Sequence, residues 1–148
     1  MARTKYFPHL AGSLILASAG AVGLLHKWEP DTSKPDAHLY VYEDKIASNE
    51  EYALEVLQNK LAACFTMLPP QSVFDSATSH AWNFGVGKTC SSAAMKQWNQ
   101  GNYKLGCQLI AYQYDGTTPN WSFSDGKFVK GLHNRRVDEG QTCLKDVK

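Results

Sequence analysis

The chain has 148 residues, with 15 Lys and Arg against 14 Asp and Glu. That length suits one globular unit plus a short appendage, with enough chain to bury a core. A formal net charge of +1, with no basic run interleaved with aromatics, argues against nucleic acid as a partner. No internal repeat or low-complexity tract appears.

The chain opens on Met1-Ala2-Arg3-Thr4-Lys5, continues without a charge from Leu10 to Leu25, and meets His26-Lys27. A basic start before an apolar run is the pattern of an export signal. The run is shorter than the ~20 residues of a comfortable transmembrane helix. It is also diluted by Gly12, Ser13, Ser18, Gly20 and Gly23, so it is expected to hold a membrane weakly. Residues 1–26 therefore read as an N-terminal anchor segment carrying an apolar helix, and 27–148 as the domain. A signal peptide cleaved near Ala17-Ser18-Ala19 and a buried helix of a cytosolic protein are the other readings.

Next, Leu39-Tyr40-Val41-Tyr42 has strand chemistry. Ser48-Asn49-Glu50-Glu51 has the spacing of a capping box, and Leu54, Leu57, Leu61 and Phe65 recur at helical intervals, which predicts a helix over about 49–65. Pro69-Pro70 and Gly85 bracket a second helix, 70–84, carrying Val73, Phe74, Ala77, Ala81 and Phe84. Ser91 is the expected cap of a third helix to Gln100, with Met95 and Trp98 inward. Asn102 is the expected cap of a fourth, through Leu105, Leu109 and Ile110. Turn formers from Gln113 to Lys127 predict a loop or short hairpin around Trp121 and Phe123. A last helix over about 131–145 carries Leu132, Val137 and Leu144 with two arginines between. The fold class is α+β, mainly α.

Cys64, Cys90, Cys107 and Cys143 all lie in the body, without a CxxC and without histidines at zinc-ligand spacing. Disulfides fit an exported chain better than a metal, and three pairings are open, with free buried thiols as the alternative. No metal or other cofactor is called for.

Glycosidic hydrolysis needs a carboxylic acid to protonate the leaving oxygen and a second carboxylate to activate water or attack. Glu29 follows Trp28, an apolar neighbour suited to a general acid. His80 and His133 fit packing roles, and Trp82, Trp98 and Trp121 fit packing or saccharide stacking.

Several stretches carry a resemblance: Leu25-His26-Lys27-Trp28-Glu29, Tyr42-Glu43-Asp44, Ser79-His80-Ala81-Trp82-Asn83-Phe84-Gly85-Val86-Gly87, Trp98-Asn99-Gln100-Gly101 and Gly131-Leu132-His133-Asn134-Arg135-Arg136. Together they resemble the phage-type lysozymes, or endolysins, of glycoside hydrolase family 24. The apolar N-terminus is similar to the signal-anchor-release segment of exported members.

The resemblance implies a lysozyme-like helical body with Glu29 as the acid and Arg135 as the arginine that pairs with it. The family's aspartate falls on His38 by spacing, nine positions after Glu29, but on Asp44 by its Tyr-x-Asp context. Asp44 is taken as the water-orienting base. The family's catalytic threonine and its hairpin have no counterpart, as if excised between Asn49 and Glu50, which implies a reduced β lobe.

The family pattern also suggests Cys64 with Cys90 and Cys107 with Cys143. The function implied is a muramidase that cuts peptidoglycan glycan strands for host lysis. It would act as a monomer, anchored in the inner membrane through residues 10–25 and then released to the periplasm. The alternative is a catalytically impaired, membrane-tethered protein that binds cell-wall glycan.

Overall fold

A computed structural model describes residues 2–29, 41–42, 45–46 and 50–148, with side chains described for 2–29 and 52–148. The proposed cap Ser48 and the proposed base Asp44 lie outside the described residues, as does His38.

The apolar helix expected over residues 10–25 is instead two elements. Strand β1 (Arg3–Phe7) pairs antiparallel with β2 (Gly12–Leu16), Arg3 opposite Leu16 and Phe7 opposite Gly12. A 3-10 turn, Pro8–Leu10, and a left-handed Ala11 (φ 52°) join them. Helix α1 (Ala19–Trp28) follows, with the Ser18 hydroxyl accepting from the Ala21 N–H at 3.3 Å as its N-cap.

Strand geometry wins because it sends alternate side chains to opposite faces. Leu14 and Leu16 turn inward, Ser13 and Ile15 outward. Phe7, Leu10, Leu14 and Leu16 join the same core as Phe74, Trp98 and Ile110. Residues 3–16 are thus packed into the body, and among the described residues no helix is long and apolar enough to cross a membrane.

A two-stranded hairpin leaves an unpaired edge, which here is closed by side chains of the body. The Ile15 N–H donates to Gln71 Oε1 at 2.8 Å and the Gln71 amide donates back to the Ile15 carbonyl at 2.9 Å. The Ala17 N–H donates to Gln58, whose own amide is satisfied by Thr78. From β1, Lys5 bonds Asn59 and Arg3 pairs with Glu55 at 2.7 Å.

Ahead of α2 (Glu50–Ala62), β3 (Val41–Tyr42) pairs antiparallel with β4 (Lys45–Ile46), Val41 opposite Ile46, within the stretch expected to have strand chemistry, whose Leu39 and Tyr40 lie outside the described residues. Helix α3 (Gln71–Phe84) is the centre of the molecule. Every residue from Ser72 to Ala81 is buried, and it packs against α1, α2, α4 (Val86–Cys90) and α7 (Lys130–Cys143). Its ends fall where the prolines and Gly85 put them. Gly85 has φ 95°, a backbone that residues with a Cβ rarely adopt.

Helix α5 (Ala93–Trp98) is capped by Ser92, one residue later than the sequence suggests. The Ser92 hydroxyl accepts from the Met95 N–H at 3.1 Å. Met95 and Trp98 point inward as expected, with Trp98 stacked on Phe65 at 5.9 Å. Helix α6 (Tyr103–Ala111) begins after Asn102, whose side chain makes no cap hydrogen bond and donates to Gln97 instead. Gly106 of α6 lies against the Trp98 indole, so close that a Cβ there would sit 2.3 Å from it.

The stretch after α6 forms the hairpin β5 (Phe123–Ser124) and β6 (Lys127–Phe128), ahead of α7. Disulfides Cys64–Cys90 and Cys107–Cys143 join the end of α2 to α4 and α6 to α7, the pairing the resemblance implied. Loops of 26 and 36 residues each correspond to ~3–4 kcal/mol of chain-entropy stabilisation.

Candidate active site

Glu29 caps the end of α1, its N–H still donating to the Leu25 carbonyl, so its side chain leaves the last turn toward α7. There it meets Arg135, Nη1 to Oε1 at 2.5 Å. Arg135 has 5% of its side chain exposed and Glu29 32%, so the carboxylate has a covered side on the guanidinium and an open side to solvent. The expected partnership of Glu29 and Arg135 is therefore present in space.

Helix α7 reaches this position by burying charge. Leu132 and Val137 are only half covered and Leu144 is exposed, whereas Arg135, Arg136 and Glu139 are buried, the reverse of what the apolar pattern implies. Residues three and four apart share a helix face, so 135, 136 and 139 turn together against α3. Helix α3 answers with small and polar side chains. The Ser79 carbonyl and hydroxyl accept from Arg135 at 3.0 and 3.3 Å, Asn83 Oδ1 accepts from Arg136 at 2.7 Å, and Ser76 donates to the Glu139 carbonyl at 2.8 Å. Glu139 accepts from Ser79, from Arg135 Nε at 3.3 Å, and from Arg136 at 2.6 and 2.9 Å. Removing one member of such a buried ion set costs ~3–5 kcal/mol, because the others are left uncompensated.

A second contact fixes the same helix end. Trp28 Nε1 donates to Asp138 Oδ2 at 2.9 Å and Lys27 pairs with the same oxygen at 2.8 Å. Burial opposes ionisation of Asp138, but the bonds from Lys27 and Trp28 prevail and hold its carboxyl below the usual range. Beside these residues is a groove of about 350 Å³ lined by Lys27, Trp28, His133, Asn134, Val137 and Asp138.

His80 is buried in α3, bonded through Nδ1 to the Thr89 hydroxyl at 2.7 Å and packed edge-on against Trp121 at 4.5 Å. Burial, with Arg136 and Arg135 adding to it, keeps its ring neutral well below the ordinary histidine range. His133 is half-buried against Tyr112 and Phe128. Both histidines make packing contacts, and His133 also lines the groove beside Trp28. Among the described residues no group of His, Cys, Asp and Glu is arranged to hold a metal ion.

Ser79 and Glu139 have no place among the sequence-level candidates, although Arg-Arg-x-x-Glu carries the helix spacing of an ion-paired cluster. Its burial was not legible without α3. Chemically, the site offers a part-exposed carboxylate held by a buried guanidinium beside an open groove.

The family model described as phage lysozyme matches residues 38–139, a span that begins after Glu29 and includes Asp44 and Arg135. The chain is 36% identical over 69 residues to the endolysin of Bacillus phage PZA, covering 47% of this chain and 24% of that protein. It is 29% identical over 75 residues to the SAR-endolysin of Enterobacteria phage PA-2, covering 51% and 41%. The chain thus spans less than half the length of these curated relatives. The solved endolysin from Escherichia coli O157:H7 phage FAHEc1 superposes with a TM-score of 0.55 at 19% identity, over 88% of this chain and 94% of that one, which establishes a shared fold. With more than half of its length matched by the family model, the chain belongs to the phage lysozyme family.

Proposed function

We propose that this chain is an endolysin that hydrolyses glycosidic bonds of bacterial peptidoglycan. Glu29 protonates the leaving oxygen, Asp44 orients and activates the attacking water, and Arg135 holds Glu29 in place. The observation that carries this reading is the 2.5 Å contact of Glu29 with the buried Arg135 in a chain of the phage lysozyme family. A general acid contributes roughly 10²–10⁴ in rate. Release of reducing sugar from purified peptidoglycan should therefore fall by at least about a hundredfold in Glu29→Gln and in Asp44→Asn. Unchanged turnover in Glu29→Gln would sink the assignment, and equal inertness of the unmodified chain would return it to a glycan-binding role.

We further infer that the protein acts as a monomer in the host periplasm after starting at the inner membrane through residues 10–25. The uncharged run of these residues, the two disulfides suited to an oxidising compartment, and the relatives named SAR-endolysin support this. Leu14 and Leu16 would then move from lipid to the core they occupy in the folded body. Cell fractionation before and after collapse of the proton-motive force tests this: the full-length chain should leave the membrane fraction. Retention there, or a mature protein beginning after Ala19, would overturn it.

A further inference from the structure

Arg135 serves two carboxylates at once. Its Nη1 donates to Glu29 at 2.5 Å and its Nε to Glu139 at 3.3 Å, while Nη2 is taken up by Ser79. Glu139 has no exposed side-chain surface and also accepts from the Ser79 hydroxyl and from two nitrogens of Arg136. The guanidinium that touches the proposed acid is thus oriented from behind by a carboxylate that never meets solvent.

The charges make this more than a mechanical brace. Arg135 and Arg136 supply two positive charges, Glu29 and Glu139 two negative ones, and all but Glu29 are almost wholly buried. A group that delivers a proton must first carry it, and protonating Glu29 leaves this cluster with an excess positive charge at low dielectric. How strongly Arg135 opposes that step depends on how much of its charge Glu139 already balances. Among the described residues, the other titratable groups around this site are Lys27 and Asp138, which pair with each other, His26 on α1, His133 on α7 at the groove beside Trp28, and His80 on α3, buried beside Thr89 with its titration held well below the ordinary histidine range.

We propose that Glu139 is a positioning residue for Glu29, acting through Arg135: it fixes the guanidinium and takes up part of its charge, so that Glu29 can be protonated and act as an acid. This rests on the reading of Glu29 as the proton donor.

Two buried substitutions change the cluster charge in opposite directions. Glu139→Gln keeps the shape and removes a negative charge, so the carbon-13 carboxyl titration of Glu29 should move to lower pH. The alkaline limb of kcat/KM on peptidoglycan should move with it, with a loss of about tenfold at neutral pH. Arg136→Met removes a positive charge and should move both to higher pH, which keeps the test open if Glu139→Gln does not fold. A purely structural role would lower activity at every pH and leave the Glu29 titration in place. That result in either folded variant, or a shift of the same sign in both, overturns the proposal. If the unmodified chain turns over no glycan, the functional reading fails while the titrations still decide this one.

Discussion

Gln71, at the start of the central helix, closes both backbone hydrogen bonds of Ile15, at 2.8 and 2.9 Å across 56 residues of sequence. A side-chain amide has one donor side and one acceptor side, which matches the N–H and C=O that an edge strand leaves open. The N-terminal hairpin therefore docks as if a third strand were present.

Gln71→Ala should cost ~0.5–1.5 kcal/mol, because the two exposed backbone groups of Ile15 exchange the amide for water and the bond from Gln71 to Asp75 at 2.9 Å is lost. Denaturant midpoints measure the loss, and amide exchange should quicken at Ile15 ahead of the α3 core. Uniform protection across both segments would show that the hairpin does not depend on this contact.

Two glycines should respond in opposite directions to the same change. A Cβ at Gly106 would meet the Trp98 indole at 2.3 Å, so Gly106→Ala should destabilise by ~1–3 kcal/mol through overpacking. Gly23 lies on the exposed side of α1 with nothing within 4 Å of a Cβ, so Gly23→Ala should stabilise by ~0.5–1 kcal/mol. Thermal melts of the two variants side by side test this. A stabilised Gly106→Ala would mean that the indole gives way at no cost.

Acid should weaken the fold through His80. Its folded pKa lies well below 6.5, so the unfolded chain takes up a proton first and the native state does not. The stabilisation is fully present above pH 6.5 and is lost as the pH falls below it, at ~1.4 kcal/mol per pH unit. Asp75 acts in the other direction: burial, only partly offset by bonds from Ser18 and Gln71, raises its carboxyl above 3.8, so it favours the fold as the pH falls through that more acid window. Unfolding free energies from pH 7.5 to 5 should show the His80 slope, and His80→Asn should flatten it. A slope unchanged in that variant would assign the acid sensitivity elsewhere.

Non-reducing peptide mapping should recover Cys64 with Cys90 and Cys107 with Cys143 only. Replacing the second pair by alanine should lower stability by ~3–4 kcal/mol, since Cys107 and Cys143 tie α6 to the helix that carries Arg135. A free thiol at any of the four positions in protein recovered from an oxidising compartment would contradict the pairing.

Local sequence determined the elements whose signals do not depend on a partner. Pro69-Pro70 and Gly85 act through backbone dihedrals alone, so the span of α3 was readable, and the repeat of Leu54, Leu57 and Leu61 was enough for α2. The motif likeness gave the Cys pairing and the meeting of Glu29 with Arg135. Tertiary structure decided the rest. The uncharged run from Leu10 to Leu25 satisfies a helix or a strand equally, and it became β2 plus α1 because Gln58 and Gln71 close the edge of the hairpin while Leu14 and Leu16 fill the core. Helix α7 has its charged face inward, against any reading of hydrophobic pattern. Arg135, Arg136 and Glu139 can leave water only where Ser79, Asn83 and one another replace its hydrogen bonds, and α3 brings those partners from more than fifty residues away.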